Sequence, residues 1–198
     1  MIKIDLNLIQ QLRDRTGVGM MDCKKALIEA QGDMEKAVDV LRKKGAAIAE
    51  KRSANATSEG LVHAYIHPGA KIGVMVEINC ETDFVARTDD IKRFAQDICM
   101  HIAVFKPKCV SPADLDQAFL EHEKTLYREQ LVASKKPAQI IDQIVEGKLE
   151  KLYTEVCLMQ QPFVKNDQIT VNDVLKDLIA KMGENIKIRR FVRYEIGA

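Results

Sequence analysis

The 198-residue sequence has almost no surplus of charge: 30 Lys and Arg against 29 Asp and Glu leave +1 at pH 7. Non-specific binding to a phosphate backbone needs a basic excess, so direct contact with nucleic acid is not expected. The five cysteines, at 23, 80, 99, 109 and 157, form no C-x-x-C pair. The chain is also too long and too helix-rich to need disulfide staples, so reduced, mostly buried thiols are expected. No stretch approaches the roughly 18 apolar residues of a membrane span, and the segment Met1-Ile-Lys-Ile-Asp-Leu-Asn7 lacks the uninterrupted apolar core of a signal peptide. A soluble, reducing, cytoplasmic setting without a membrane partner follows as the expectation. There is no Gly-x-x-x-x-Gly-Lys-Ser/Thr phosphate loop, which argues against hydrolysis of nucleoside triphosphates by the chain itself. His63 and His67 stand four apart on a predicted strand with no cysteine or acidic partner at ligand spacing, so neither a metal site nor a cofactor is expected.

What remains is an ordinary globular composition, 46% hydrophobic and 30% charged, enough for one large domain or two small ones. Residues 5 to 44 carry three short helical patterns, with Leu8, Ile9 and Leu12 on one face, Cys23, Ala26, Leu27 and Ala30 on the next, and Met34, Ala37, Val38 and Leu41 on the third. Gly32 reads as a C′ glycine and Asp33 as the following N-cap. Arg42-Lys43-Lys44-Gly45 reads as cations at the negative helix end followed by a stop. A short connecting helix then frays into Ser53–Ser58, which places a boundary between a three-helix module (1–52) and the remainder (53–198).

In that remainder, Gly60–His67 and Lys71–Cys80 alternate as strands about Pro68-Gly69, a β-hairpin. A helix is expected over 91–104, and Ser111-Pro112 resembles an N-cap with proline at the first helical position. Two helices over about 115–133 and 138–159, joined by Ser134-Lys135-Lys136-Pro137, have apolar faces suited to an antiparallel helical hairpin spanning 115–159. A last helix (170–182) and a strand (186–196) follow, together 170–196, and the strand is expected to join the hairpin in one sheet. The fold class is therefore α+β.

The most informative stretch is Glu77-Ile-Asn-Cys-Glu-Thr-Asp-Phe-Val-Ala-Arg87. Val74, Val76 and Ile78 alternate with Met75, Glu77 and Asn79 as a half-buried strand does, and Thr82 or Asp83 can cap a helix that begins there. Phe84 thus sits at a strand-to-helix corner, where a large ring either folds back into the core or projects toward something else. Most aromatic side chains are buried, so the residues alone favour the core.

Other motifs have plain alternatives. Gly17-Val-Gly19-Met-Met-Asp22 lacks the third glycine and the preceding strand of a dinucleotide fingerprint, and its carboxylate would repel a pyrophosphate. Cys80, beside Glu81 and Asp83, has a disfavoured thiolate, and His101 near Cys99 is no stronger a sign of a nucleophile. Met20 and Met21, in the loop before the second helix, either pack internally or serve a partner surface. A helical adaptor that binds ubiquitin-like or ribosomal surfaces is a competing reading, as is an enzyme using Cys80 or Cys99.

Leu12-Arg-Asp-Arg-Thr-Gly-Val-Gly-Met-Met-Asp-Cys-Lys-Lys-Ala-Leu27 and the Glu77–Arg87 stretch resemble, in order, two signatures of the elongation factor Ts family, bacterial and organellar exchange factors for elongation factor Tu. Gln161-Pro-Phe-Val164 and Gly183-Glu-Asn-Ile-Lys-Ile-Arg-Arg190 are similar to further segments of that family. The resemblance implies a ubiquitin-associated-like helical module ahead of an antiparallel-sheet core, no covalent chemistry, and catalysed release of GDP from elongation factor Tu. It implies that Asp83 and Phe84, flanked by Thr82 and Val85, press on the partner's GTPase domain, with the ring disturbing the partner's magnesium site. Arg13, Met20 and Met21 match positions that touch a neighbouring helix of that domain. Longer members carry a second, related core half; here there is one hairpin and one C-terminal strand, as in short-form members, and a homodimer holding two partner molecules is expected.

Overall fold

The computed structural model describes residues 4–132 and 137–197. The elements are α1 (Leu6–Thr16), α2 (Met20–Glu29), α3 (Met34–Arg52), β1 (Glu59–Ile66), β2 (Ile72–Cys80), α4 (Asp83–Ala86), α5 (Asp89–Phe105), α6 (Gln117–Val132), α7 (Ala138–Val156), β3 (Pro162–Phe163), β4 (Asn166–Thr170), α8 (Val171–Met182) and β5 (Ile186–Glu195). The expected hairpin and C-terminal strand meet in one antiparallel sheet of order β1-β2-β5, and the architecture is α+β. The chain divides into two compact units: Met1–Leu61 with Ile78–Lys92 and Asp173–Lys187, and Val62–Glu77 with Arg93–Asn172 and Ile188–Ala198.

In the first unit the three predicted helix faces converge. Ile9, Leu12, Cys23, Ala26, Leu27, Ala37 and Leu41 form a buried cluster flanked by Leu8, Met20, Met34 and Val38. Asp5 caps α1 and Asp33 caps α3, the latter accepting from the Glu35 and Lys36 amides at 3.0 and 3.1 Å. Two local expectations need correction. The end of α2 is a Schellman turn in which Gln31 (φ 54°), not Gly32, takes the C′ position, with Gly32 N–H on Leu27 O at 2.8 Å and Gln31 N–H on Ile28 O at 3.2 Å. Gly45 does not stop α3, which runs unbroken to Arg52 and absorbs the expected connecting helix. Gly45 is buried, and a Cβ placed there would lie 2.9 Å from the Cβ of Ala180 on α8. The missing side chain therefore serves close helix approach, not termination.

In the second unit, α5 lies on β1: Gln96 hydrogen-bonds His63 at 2.7 Å and the Cys99 thiol points at His63 O. The helical hairpin packs Leu120, Tyr127 and Leu131 with Ile141, Val145, Leu149, Leu152 and Val156. Its helices are shorter than expected. Ser111-Pro112 opens only a 3-10 turn, closed by Asp114 accepting from the Ser111 amide at 2.8 Å, before α6 begins at Gln117, and α7 ends at Val156. The connection Ser134-Lys135-Lys136 lies outside the described residues. The two-strand ribbon β3–β4 has no counterpart in the sequence reading, because a two-residue strand is too short to show alternation.

His101, fully buried on α5, has both ring nitrogens bonded. The Val164 amide donates to Nδ1 at 3.2 Å, which leaves the proton on Nε2 to be donated to Gln161 Oε1 at 2.9 Å. Phe105 stacks on the ring, centroids 4.6 Å apart. Burial holds the imidazole below its ordinary value of 6.5, with the Gln161 bond opposing.

Two predictions follow from this packing. Below about pH 6.5 the unfolded chain takes up a proton that the folded chain refuses, so stability is complete above that pH and is lost as pH falls toward the lower folded value. Thermal unfolding between pH 7.5 and 5 will show this slope, and His101→Phe will flatten it while costing about 1–3 kcal/mol at neutral pH through the stranded Val164 amide and Gln161. Separately, Gly45→Ala, worth about 1 kcal/mol of gain in an open helix, will instead destabilise by about 1–3 kcal/mol through overpacking against Ala180. Urea unfolding gives the sign.

Candidate functional site

The site is built where β2 ends. Cys80 is buried, its thiol donating to Thr82 O at 3.1 Å, and burial first, then the nearby Glu184 carboxylate, push that thiol above its ordinary range. Thr82 sits in extended backbone (φ −127°, ψ 155°) as the N-cap of α4, a single turn. Its hydroxyl accepts from the Val85 amide at 3.5 Å. The next turn is fixed by Thr88, whose hydroxyl donates to Val85 O at 2.8 Å and accepts from the Ile91 amide at 3.4 Å. A four-residue helix has no stability of its own, so caps and packing must hold it.

Those come from a crossed pair of carboxylates. Glu184, in the turn between α8 and β5, accepts the Thr82 amide at 3.0 Å and the Thr82 hydroxyl at 2.7 Å. Glu81 reaches the other way and accepts the Asn185 amide at 2.6 Å. Glu81 also takes the Asn55 side chain at 3.0 Å and lies 3.3 Å from Arg52 at the end of α3. The Asn185 amide first, then Asn55 and Arg52, hold the Glu81 carboxyl below the usual carboxylate range. Asn185, almost fully buried, donates its side-chain amide to Asn55 O at 2.8 Å and Ser53 O at 3.3 Å. Gly183 (φ 71°) makes the turn possible, closing α8 through a bond from its amide to Ile179 O at 2.8 Å.

On this base the predicted residues take distinct places. Val85 and Ala86 are buried, while Phe84 between Asp83 and Val85 is 81% exposed. The ring therefore projects, contrary to what aromatic composition alone favours. Asp83 is half-buried and paired with Arg87 at 2.8 Å. Thr82 is half-buried in the clasp, and Val85 faces inward as an anchor. Arg13 is exposed on α1; Met20 and Met21 form the first turn of α2 and not the loop before it, because Gly19 is the N-cap, with Met20 leaning on the three-helix core and Met21 64% exposed. Thr82 through Val85 are thus one constellation, and Arg13, Met20 and Met21 lie on other elements of the same unit. Glu81, Glu184, Asn185, Asn55 and Arg52 were not singled out from the sequence as site residues. The signal for three of them was family likeness, which carries no statement of their role: Glu81 lies in the Glu77–Arg87 stretch, and Glu184 and Asn185 lie in Gly183–Arg190.

The glycines of Gly17-Val-Gly19 punctuate helices: Gly17 (φ 70°) caps α1 through Arg13 O, and Gly19 is the N-cap of α2. Among the described residues there is no group of three or more His, Cys, Asp or Glu placed to hold a metal ion, and no helix is long and apolar enough to cross a membrane.

The family model described as "Elongation factor TS" matches residues 8–198. The chain is 56% identical over 194 residues to "Elongation factor Ts" of Carboxydothermus hydrogenoformans, covering 98% of this chain and 89% of that protein. It is 55% identical over 190 residues to the protein of that name in Syntrophus aciditrophicus, covering 96% and 94%. To that of Fervidobacterium nodosum it is 51% identical over 196 residues, covering 99% and 100%.

Proposed function

Because this chain belongs to the elongation factor Ts family of translation factors, we propose that it binds elongation factor Tu carrying GDP and accelerates GDP release by pressing Phe84 against the GTPase domain. The observation that carries this reading is the 81% exposure of Phe84 on a turn whose neighbours Val85 and Ala86 are buried. Fully burying a phenyl side chain is worth about 1.5–3 kcal/mol, little of which is realised in the free chain with the ring 81% exposed. An apolar ring on a fixed backbone, ready to be covered, is the profile of an interface anchor. Asp83 sits beside it with its carboxylate oriented by Arg87. Arg13 and the exposed Met21 supply a second contact on the partner's neighbouring helix.

Exchange then follows from linkage. A factor that binds the nucleotide-free partner more tightly than the GDP-bound one weakens GDP by the same ratio, and the ternary intermediate lets the two ligands displace each other. The magnesium whose site is disturbed belongs to the partner. No bond in this chain is made or broken, and it acts as an exchange factor without covalent chemistry of its own.

A homodimer in a two-plus-two complex is part of this proposal, and one feature of the second unit favours it. Val62 and Ile66 on β1, Met75 on β2, and Val192 and Tyr194 on β5 are all exposed large apolar residues. Val62, Met75 and Val192 share a shallow cleft of about 230 Å³ beside the Arg190–Glu77 ion pair. A second copy presenting the same surface would cover it by two-fold symmetry.

Phe84→Ala will cut the acceleration of fluorescent GDP release by about 2 kcal/mol or more, roughly thirty-fold, while changing unfolding stability by no more than about 0.5 kcal/mol. Undiminished release, or an unfolded variant, would remove Phe84 from the mechanism. For the second part, sedimentation equilibrium at micromolar concentration will give about twice the 22.3 kDa chain mass, and Val62→Lys with Val192→Lys will return it to that of one chain. A monomeric parent protein rules the dimer out.

A further inference from the structure

We infer that Glu184 is a positioning residue for exchange: its carboxylate sets the backbone from which Phe84 projects, though it is 102 residues away in sequence from the threonine it holds. Both oxygens are engaged on one residue, Oε2 on the Thr82 amide at 3.0 Å and Oε1 on the Thr82 hydroxyl at 2.7 Å. A two-point grip fixes rotation as well as distance, which one hydrogen bond does not. Thr82 O accepts from the Cys80 thiol at 3.1 Å and the Ala86 amide at 3.3 Å, but the residue's own amide and hydroxyl donate to Glu184. Its hydroxyl meets the Val85 amide only at 3.5 Å, a long cap for a helix of four residues. The bond that the Asn185 amide donates in return to Glu81 keeps the Glu184 turn itself in place. Release of the grip leaves the Thr82 amide without its acceptor and lets α4 rotate, so the ring samples many directions in place of one. The price is a lower fraction of molecules able to engage the partner productively, with the ring itself intact.

This rests on the reading that Phe84 drives exchange, and a double-mutant cycle separates the two. Stopped-flow release of fluorescent GDP from elongation factor Tu is measured with the parent chain, Glu184→Ala, Phe84→Ala and the double variant, with folding checked by circular dichroism and thermal unfolding. Glu184→Ala is expected to lower maximal release about ten-fold, a loss of about 1.4 kcal/mol, with little change in the concentration of factor giving half-maximal rate. In the Phe84→Ala background the same change is expected to cost less than about two-fold, because its effect passes through the ring. Glu184→Gln, whose amide can still accept from the Thr82 N–H and donate to the hydroxyl, is expected to fall between parent and Glu184→Ala. Additive losses in the cycle, or a folded Glu184→Ala with parent rates, overturn the inference while leaving Phe84 in its role. If Phe84→Ala alone changes nothing, it is the underlying reading that fails. Should Glu184→Ala not fold, Thr82→Val, which removes only the hydroxyl half of the grip, takes its place in the same cycle with the same criteria.

Discussion

Two carboxylates that each satisfy the other segment's backbone are the constraint on which the candidate site depends. The turn after β2 and the turn before β5 both present amides with no partner in their own element, Thr82 and Asn185. Leaving such a group unpaired away from water costs about 1–3 kcal/mol. Glu184 takes the first and Glu81 the second, at 3.0 and 2.6 Å, and ionised acceptors make these stronger than the neutral bonds of a sheet ladder. Asn55, Arg52 and the buried Asn185 side chain join the end of α3 to the same knot. The clasp therefore closes loops of about a hundred residues, and the corner it holds cannot shift without releasing several bonds together.

Such a device suits a surface whose task is to hold one side chain away from the core. A ring that projects gains nothing from burial, so nothing about the ring itself keeps its backbone in place. That work falls to its neighbours. Val85 and Ala86 insert on one side of α4, Thr88 ties the end of α4 to the start of α5, and Glu184 fixes the beginning. Order is thus concentrated in the residues flanking Phe84, while its phenyl group stays available.

The parts of this arrangement legible in the sequence are those whose cause is local. Alternation announced β1 and β2, β propensity and position announced β5 where alternation was imperfect, helical spacing announced the three faces that meet in the first unit, and Thr82 could be named as a cap because capping is decided within three residues. Most of what failed had a distant cause. Gly45 looked like a helix stop because Lys43-Lys44-Gly45 is a local stop signal, and its real reason, the Cβ of Ala180 at 2.9 Å, lies 135 positions away. The Schellman turn put Gln31 where a glycine was expected, since the left-handed position is tolerated by a polar residue when both closing bonds form. Glu184 and Glu81 were plain surface acids by composition. The exposure of Phe84 was likewise not derivable from its own character, which favours burial; only the family likeness pointed outward.

The corner also bears on how an exchange factor divides its binding energy. Contacts that form equally well with every state of the partner change affinity without changing release, whereas contacts available only when the nucleotide site is distorted accelerate it. A ring on a loose loop would adapt to the undistorted partner and give up that distinction. On the proposed reading, a ring held by a two-point grip on Thr82 and anchored by Val85 resists such adaptation, and the partner yields in its place. On that reading, the bonds that tie the backbone on either side of Phe84 are what convert an exposed phenyl group into a differential contact.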